Sequence, residues 1–334
     1  MDDLRWFAPN HYCALPVPAL RRAGLRVALQ GDEPARLAVA SDGQCAVAAF
    51  EFARRRRCPL VLYLWDLPPW RLGRGRPDFV FEIRQRLARI PRPWGAYPER
   101  RGYYSRIRYV AQHADAVWCP STNTVQDVER HFGVQAERIP FCYDNARFTN
   151  ERQVPLTTHR SPLTVLSISR LVPHKNHAVI LRAAARLEPR PAVRILGQGP
   201  EADNLRRLAT SLDVQLELPG TWASDTQILD AYRNAGVVVA PSRFEGFGLT
   251  PLEGIAMGVP VIASDIPPHR EFLGGAVRFF PPDDDLALAR EIESLIAEPP
   301  TRPLALPPLL SDLTIESCAA RLLAGVGRLM AGAA

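Results

Sequence analysis

The feature of the sequence that most constrains its fold is the alternation of short apolar runs with amphipathic segments between residues 163 and 265. The apolar runs have the length of buried strands, whereas the segments between them carry apolar residues at helical spacing. Strands are predicted at 163–169, 192–199, 214–220, 236–242 and 260–265, and helices at 177–187, 200–212, 226–235 and 250–258. A chain that repeats strand, helix, strand in this way forms a doubly wound parallel sheet.

The first half of the chain shows a similar alternation with less regular spacing. Strands are predicted at 4–9, 26–31, 59–66 and 115–121, and helices at 43–57, 103–114 and 122–133. A chain of 334 residues is long for one hydrophobic core. We therefore predict two Rossmann-like domains, at 1–152 and 153–312, joined by a polar linker at 150–162. A terminal helix at 313–334 is predicted to pack back toward the first domain.

Composition and terminal sequence favour a cytoplasmic protein. The chain is 47% hydrophobic and 23% charged, which is typical of soluble globular proteins. It has no apolar run of about 18 residues, and its first residues, MDDLRWF, do not resemble a signal peptide. The six cysteines are scattered, so they favour a reducing compartment over a metal site or a disulfide framework.

Positive charge is concentrated in the first half. Residues 1–150 carry a formal charge of +8, and residues 151–334 carry −2. The segment 70–109 holds eleven arginines interleaved with aromatic residues. One interpretation is a solvated basic surface. The other is a surface for an anionic partner, such as a lipid diphosphate, an anionic membrane or an acidic glycan. No nucleic-acid-binding motif accompanies the charge, so we expect no nucleic-acid partner.

A glycine-rich loop, FEGFG, joins the predicted strand at 236–242 to the helix at 250–258. Gly246 and Gly248 allow a ligand to approach the backbone closely, and the free amides of a helix start attract an anion. Glu245 and Glu253 bracket this loop, and a carboxylate accepts hydrogen bonds from a pair of hydroxyl groups. An anion site between two such carboxylates suits a ribose–diphosphate–sugar ligand.

A structural interpretation of Glu253 is also open. Thr250, Pro251 and Glu253 fit a helix N-cap, an N1 proline and the N3 residue of a capping box. The segment LGQGPEA, with Glu217 after it, also matches a loose dinucleotide-binding fingerprint, and it keeps an NAD-dependent Rossmann enzyme as an alternative. Asp283–Asp285 follow two prolines, and we interpret them as helix-capping residues and not as metal ligands.

The segment 241–265 resembles the Glu-x7-Glu signature of retaining glycosyltransferases of family 4, which have the two-domain GT-B fold. Glu245 and Glu253 are separated by seven residues. SRLVPHKNH is similar to that family's Arg-x4-Lys element, and LGQGPEADNLRRL to its Gly-x-Gly-Pro-Glu element. Residues 113–148 resemble the end of its N-terminal domain. The resemblance implies an acceptor-binding first domain, a donor-binding second domain and a cleft between them.

The resemblance also implies a role for individual residues. Arg170 and Lys175 would hold the diphosphate of a UDP- or GDP-sugar, and Glu245 would accept hydrogen bonds from the transferred sugar. Glu253 would bind the ribose diol. The remaining donor-binding positions would be Gly197, Gly199, Thr221, Trp222, Gly246, Phe247, Gly248, Leu249 and Thr250. Lys175 is the only lysine in the chain, which otherwise uses arginine.

The implied activity is metal-independent, retaining transfer of a hexose-type sugar to an unknown acceptor, without a cofactor. An anionic, lipid-linked or cell-surface glycan acceptor is expected, with peripheral membrane contact through residues 70–109. Trp65 occupies the place of a histidine that the family often carries, and Asp66 follows it. Asp66 is therefore a candidate catalytic residue, although a strand-end turn also explains it. Because Trp65 departs from the family pattern in the first domain, a second alternative stays open: a catalytically inactive protein that binds sugar nucleotides.

Overall fold

A computed structural model of the protein describes residues 2–29, 31–67, 103–149, 163–297 and 307–332. The chain divides into two compact units. One comprises Met1–Cys142 with Leu313–Ala334, and the other comprises Tyr143–Asp312. The predicted linker at 150–162 and most of the arginine-rich segment, residues 70–102, lie outside the described residues.

The first unit contains a six-stranded parallel sheet in the order β2-β1-β3-β4-β5-β6. Its strands are β1 Asp2–Phe7, β2 Val27–Ala28, β3 Ala35–Ala40, β4 Leu60–Tyr63, β5 Ala116–Cys119 and β6 Glu137–Arg138. Its helices are α1 Val17–Arg22, α2 Ala46–Arg56, α3 Tyr103–Ala111 and α4 Thr122–Phe132, with 3-10 turns at Tyr12–Ala14 and Gly43–Cys45.

The strand β3 was not predicted, although it lies next to β1 near the middle of this sheet. Its sequence, ARLAVA, is rich in alanine, which has a low intrinsic preference for strands. Residues 37–40 are fully buried. Tertiary packing in a sheet covered on both faces therefore decides the conformation of this segment, against local preference.

The second unit contains another six-stranded parallel sheet, in the order β12-β11-β10-β7-β8-β9. Its strands are β7 Thr164–Ile168, β8 Ala192–Leu196, β9 Leu216–Glu217, β10 Val237–Ala240, β11 Val261–Ser264 and β12 Arg278–Phe280. Its helices are α5 Ala178–Ala184, α6 Ala202–Ser211, α7 Asp225–Asn234, α8 Leu249–Ala256, α9 Pro267–Leu273, α10 Asp285–Ala297 and α11 Leu309–Asp312, with 3-10 turns at Pro173–Lys175 and Gly274–Ala276.

The prediction of two doubly wound parallel sheets is confirmed. The last helix, α12 Ile315–Gly332, belongs to the first unit, where Arg321 donates a hydrogen bond to the Pro140 carbonyl at 3.2 Å. None of the helices in the described ranges is both long and apolar enough to cross a membrane.

The strand order of the second sheet defines where a ligand site is expected. Strands β7, β8 and β9 follow one another in one direction, and β10, β11 and β12 in the other. The order reverses between β7 and β10, which pair directly. In doubly wound sheets, ligands bind at the carboxyl ends of the strands that flank such a reversal.

Candidate functional site

Lys175 lies in a short turn that follows β7. The turn Pro173–Lys175 is 3-10 helical, and Asn176 ends it in the left-handed conformation, with a φ of 55°. Asparagine tolerates this conformation better than most residues. Its side-chain amide donates to the Pro282 carbonyl at 2.6 Å, and Asn176 is buried. The backbone that carries Lys175 is thus fixed on both sides.

The same turn is bonded to the loop that follows β10. The Arg243 amide donates to the His174 carbonyl at 2.8 Å, and Arg243 Nη1 donates to the Pro173 carbonyl at 2.7 Å. These bonds bring Lys175 Nζ within 2.5 Å of Glu245 Oε1. The two side chains are 14% and 18% exposed. Two residues that sequence reasoning assigned to one ligand therefore meet at the reversal of strand order.

The two oxygens of Glu245 have different surroundings. Oε1 accepts from Lys175 and also from the Ser242 hydroxyl, at 2.7 Å. Oε2 has no hydrogen-bond partner among the described residues. Burial alone raises the pKa of Glu245, but the Lys175 charge and the two hydrogen bonds outweigh it and place the pKa below its ordinary value. Glu245 is therefore held as a carboxylate with one oxygen available to a ligand hydroxyl.

The cations of the candidate diphosphate site differ in exposure. An ammonium group has three N–H donors, and Lys175 uses one of them on Glu245 within the described part of the protein. Two donors are left for a ligand. Arg170, two residues after the end of β7, is exposed and makes no ion pair within the described ranges. Both cations are thus available to an anion, and their contact with a diphosphate stays a prediction.

The start of α8 corrects the capping-box prediction. The helix begins at Leu249 with Gly248 as its N-cap, at a φ of 96°, and no side chain caps it. The Thr250 hydroxyl donates instead to the Ile168 carbonyl at the end of β7, at 2.7 Å. The prediction that Thr250 is the N-cap was therefore wrong. Because a glycine in the left-handed conformation ends the loop, the first amides of α8 have no side-chain partner, as an anion site requires.

The other predicted residues of this loop contribute through their backbone. Gly246, Phe247 and Gly248 are buried, and Leu249 is half-buried. The Phe247 ring packs against the Phe272 ring, with 4.6 Å between the ring centroids. Its side chain is therefore part of the core, so only its main chain is suited to contact a ligand.

Glu253 is 5% exposed and does not reach back to the helix start. Its Oε2 accepts a hydrogen bond from the Tyr232 hydroxyl at 2.8 Å. Burial raises the pKa of Glu253 to about 7, although the Tyr232 hydrogen bond and the Arg147 charge act in the opposite direction. A buried carboxyl group that titrates near neutrality is a frequent property of functional sites.

This pKa gives a prediction for stability. A carboxyl group whose folded-state pKa lies above its unfolded value stabilises the fold below the unfolded pKa of 4.5, and that contribution is lost as the pH rises through about 7. Glu253→Gln removes the titration. Between pH 5 and pH 8, we expect the free energy of unfolding of wild type to fall by about 2–3 kcal/mol relative to that of the variant. Urea unfolding at both pH values measures it.

Glu293→Gln is the matched control for that experiment, because Glu293 is exposed on α10 of the same unit. Its free energy of unfolding should follow the wild-type pH dependence. Parallel curves for wild type and Glu253→Gln would contradict the raised pKa.

Gly197 and Gly199 follow β8 and approach the loop after β7. A Cβ on Gly197 would lie 1.9 Å from the Ser169 carbonyl oxygen, and one on Gly199 would lie 2.3 Å from that of Leu171. The Leu171 amide donates to the Gln198 carbonyl at 2.9 Å. The two glycines thus allow two strand-end loops to pack backbone against backbone, and their contact with a donor substrate stays a prediction.

The remaining predicted positions are Thr221, Trp222 and Asp66. Thr221 and Trp222 lie between β9 and α7, both exposed, and the Trp222 side chain is one of the few large apolar groups exposed in the described ranges. Asp66 is exposed after β4, in the other unit. Its charge and that of Asp42 contribute to the raised pKa of Tyr103, after burial, which is the main cause. The catalytic role of Asp66 stays a prediction.

Sequence reasoning did not find three polar residues of the site: Ser242, Tyr232 and His269. Ser242 follows β10, so its place at a strand end was a usable signal. His269 is fully buried in α9, and its Nε2 lies 3.3 Å from where a Cβ on Gly248 would stand. Tyr232 is fully buried in α7. In the sequence, nothing distinguishes His269 or Tyr232 from an ordinary buried residue of a helix.

Of the three aspartates 283–285, Asp284 caps α10 as predicted, whereas Asp283 and Asp285 form ion pairs with arginines instead. Asp284 Oδ1 accepts from the Ala287 amide at 2.8 Å, and Asp283 pairs with Arg243 at 2.7 Å. Over the described ranges, no three His, Cys, Asp or Glu side chains form a group that could hold a metal ion.

A family comparison bears on this unit. Residues 149–304 match the family model described as glycosyl transferases group 1. The match includes Arg170, Lys175, Glu245 and Glu253. The second unit is similar to group 1 glycosyl transferases. A D-inositol 3-phosphate glycosyltransferase of Rhodococcus jostii is 31% identical over 192 residues, which cover 52% of this chain and 42% of the relative. The matched part thus spans less than half the length of that relative.

Solved structures extend the similarity to the whole fold. Sucrose-phosphate synthase from Thermosynechococcus elongatus has a TM-score of 0.70 at 16% identity, covering 99% of this chain and 100% of that one. Anabaena HepE in complex with UDP and glucose has a TM-score of 0.63 at 16% identity, covering 99% of this chain and 98% of that one. The prediction of the GT-B fold is confirmed.

Proposed function

We propose that this protein transfers a hexose-type sugar from a UDP- or GDP-sugar to an acceptor hydroxyl, with retention of anomeric configuration. The observation that carries the proposal is the Lys175–Glu245 pair at the reversal of strand order, 2.5 Å between Nζ and Oε1, with Oε2 unbonded within the described residues. The match of residues 149–304 to group 1 glycosyl transferases supports it.

The two parts of this pair have separate tasks in the proposal. Glu245 Oε2 accepts a hydroxyl of the transferred sugar, while Oε1 is fixed by Lys175 and Ser242. Lys175 keeps two N–H donors, and we assign them with Arg170 to the diphosphate. The uncapped amides of α8 add partial positive charge at the same place. Glu253 binds the ribose diol at the other end of the loop.

These groups favour departure of the diphosphate. Cleavage of the sugar–phosphate bond builds negative charge on the phosphate, and fixed cations and helix amides stabilise that charge without the cost of reorganising water. The proposal therefore needs no metal ion or other cofactor. The acceptor hydroxyl attacks from the face that the diphosphate leaves, and the departing phosphate takes the acceptor proton. Same-face attack retains the anomeric configuration.

The first unit is assigned to the acceptor. We propose an anionic, lipid-linked or cell-surface glycan acceptor, with Asp66 near the reacting hydroxyl. We also propose a cytoplasmic protein with peripheral contact to an anionic membrane through residues 70–109, which would serve a role in cell-envelope polysaccharide synthesis. This assignment rests on the arginine-rich sequence of 70–109.

Thermal unfolding with nucleotides tests the proposed donor class. A ligand at a hundred times its Kd stabilises the native state by about 2.7 kcal/mol, so saturating UDP or GDP should raise Tm by at least about 3 °C. ADP and NAD should leave Tm within the error of the control. A rise with NAD alone would contradict the proposal and favour a dinucleotide enzyme. UDP or GDP binding without turnover of any sugar nucleotide would favour an inactive binding protein.

A further inference from the structure

Tyr232 lies in α7 and is not among the residues that were assigned to the site from the sequence. Its side chain is fully buried and its ring packs edge-to-face on the Phe148 ring, with 5.7 Å between centroids. Its hydroxyl lies 2.8 Å from Glu253 Oε2 and 3.3 Å from the Thr250 carbonyl oxygen. The hydroxyl thus connects the helix before β10 to the first turn of α8.

A tyrosine hydroxyl has one proton to donate. The carboxylate is both the nearer acceptor and the charged one, so it receives the stronger hydrogen bond. Glu253 Oε2 is therefore occupied inside the protein. Oε1 makes no hydrogen bond within the part of the chain that the structure describes. The two oxygens of Glu253 are thus divided like those of Glu245, with one fixed and one unbonded.

We propose that Tyr232 is a positioning residue of the donor site, which fixes Glu253 Oε2 and presents Oε1 to the ribose hydroxyls of the nucleotide. This inference rests on the proposed function, because it takes Glu253 as the ribose-binding carboxylate. Tyr232 itself does not touch the nucleotide in this arrangement. It acts through the orientation of Glu253 and through the charge that Glu253 carries.

The charged groups that act on Glu253 come from the segment before β7. Arg147 favours the carboxylate, and Asp144 disfavours it. The Arg147 side chain is 11% exposed, lies over the Phe148 ring at 4.8 Å and pairs with Asp225 at 2.9 Å. Neither of these contacts involves the Tyr232 hydroxyl. Loss of the Tyr232 hydroxyl removes one group that favours the charged form and leaves Arg147 and Asp144 unchanged.

The consequence is a pH-dependent defect. Tyr232→Phe should raise the pKa of Glu253, so a larger fraction of Glu253 is protonated at pH 7 and cannot accept two hydroxyl groups. Titration calorimetry with UDP and GDP on the full chain measures the effect. For whichever nucleotide wild type binds, we expect Kd to rise about fivefold at pH 7 and to come within about twofold of wild type at pH 9.

Tyr63→Phe is the matched control. Tyr63 is also buried, and its hydroxyl donates to the Ile139 carbonyl at 2.6 Å in the first unit. Tyr63→Phe should lower Tm by about as much as Tyr232→Phe does, and it should leave the pH profile of nucleotide binding unchanged. In a Glu253→Gln background, Tyr232→Phe should add no pH-dependent loss, because the titrating group is gone.

Two results distinguish failure of the inference from failure of the proposed function. No Tyr232→Phe defect at pH 7 overturns the positioning role, and a defect of equal size at every pH overturns the effect of Tyr232 on the charge of Glu253; in both cases Glu253→Gln still weakens binding. Unchanged UDP and GDP binding in Glu253→Gln, or no binding of either nucleotide by wild type, overturns the ribose assignment itself.

Discussion

Lys175→Ala is expected to lower kcat/KM for the sugar-nucleotide substrate by at least about a hundredfold, the usual effect of removing one group that stabilises transition-state charge. Two effects combine. The diphosphate loses its ammonium contact, and Glu245 loses the partner that keeps it ionised despite burial. The pKa of Glu245 should rise, because burial then acts with less opposition. Release of nucleoside diphosphate from the donor substrate, measured between pH 6 and pH 9, reports both effects.

Lys175→Arg should be nearly as harmful, although it keeps the positive charge. A guanidinium is a broad planar group. The Lys175 side chain is only 14% exposed and packs against Glu245. Its turn is fixed by bonds from Asn176 and Arg243, so it cannot move to make room for the larger group. Arg182→Lys is the matched control, since Arg182 is exposed on α5, the helix that follows this turn. It should keep at least about half of wild-type activity, as surface substitutions do. Full activity in Lys175→Arg would mean that only charge matters at this position.

Gly197→Ala is expected to have the largest effect on stability. The added Cβ would stand 1.9 Å from the Ser169 carbonyl oxygen, and the glycine φ of 155° is one that other residues rarely adopt. The Ser169 amide donates to the Leu196 carbonyl, so the two backbones cannot separate without loss of that bond. We expect the free energy of unfolding to fall by more than about 4 kcal/mol, or no folded protein to be recovered.

Gly327→Ala is the control for this substitution. Gly327 lies in α12, has no neighbour within 4 Å of an added Cβ and does not have a positive φ. The free energy of unfolding of Gly327→Ala should be about 0.5–1 kcal/mol above that of wild type, because alanine is more stable than glycine within a helix. A Gly197→Ala protein within 1 kcal/mol of wild type would mean that the loops after β7 and β8 are not packed as the structure shows.

The sequence predicted five of the six strands of the second sheet, because they alternate with helices at clear periodicity, and it missed β12. From this alternation it follows that residues after β7 and β10 lie at the carboxyl edge of one sheet. The assignment of Lys175 and Glu245 to one site came from the resemblance to family 4 glycosyltransferases. The pairing of one with the other did not follow. It depends on Arg243 contacts with Pro173 and His174, and no periodic pattern encodes such contacts between loops.

Three features of the protein could not be predicted for physical reasons. The alanine-rich β3 is a strand only because both faces of its sheet are covered. Thr250 had a good N-cap sequence, but its hydroxyl bonds to the Ile168 carbonyl, and a left-handed glycine starts the helix. Tyr232 is an aromatic residue on the buried face of a helix, and its importance depends on one hydrogen bond to Glu253.

We propose that the Lys175–Glu245 pair forms the site of sugar transfer. The most direct test is the release of nucleoside diphosphate from UDP- and GDP-hexoses, with and without a lipid extract as acceptor source, with the anomer of the released or transferred sugar followed by NMR. We predict turnover with one of these donors, a first-formed sugar with the configuration of the donor, and loss of this turnover in Lys175→Ala. Inversion, or equal turnover in wild type and Lys175→Ala, would contradict the account.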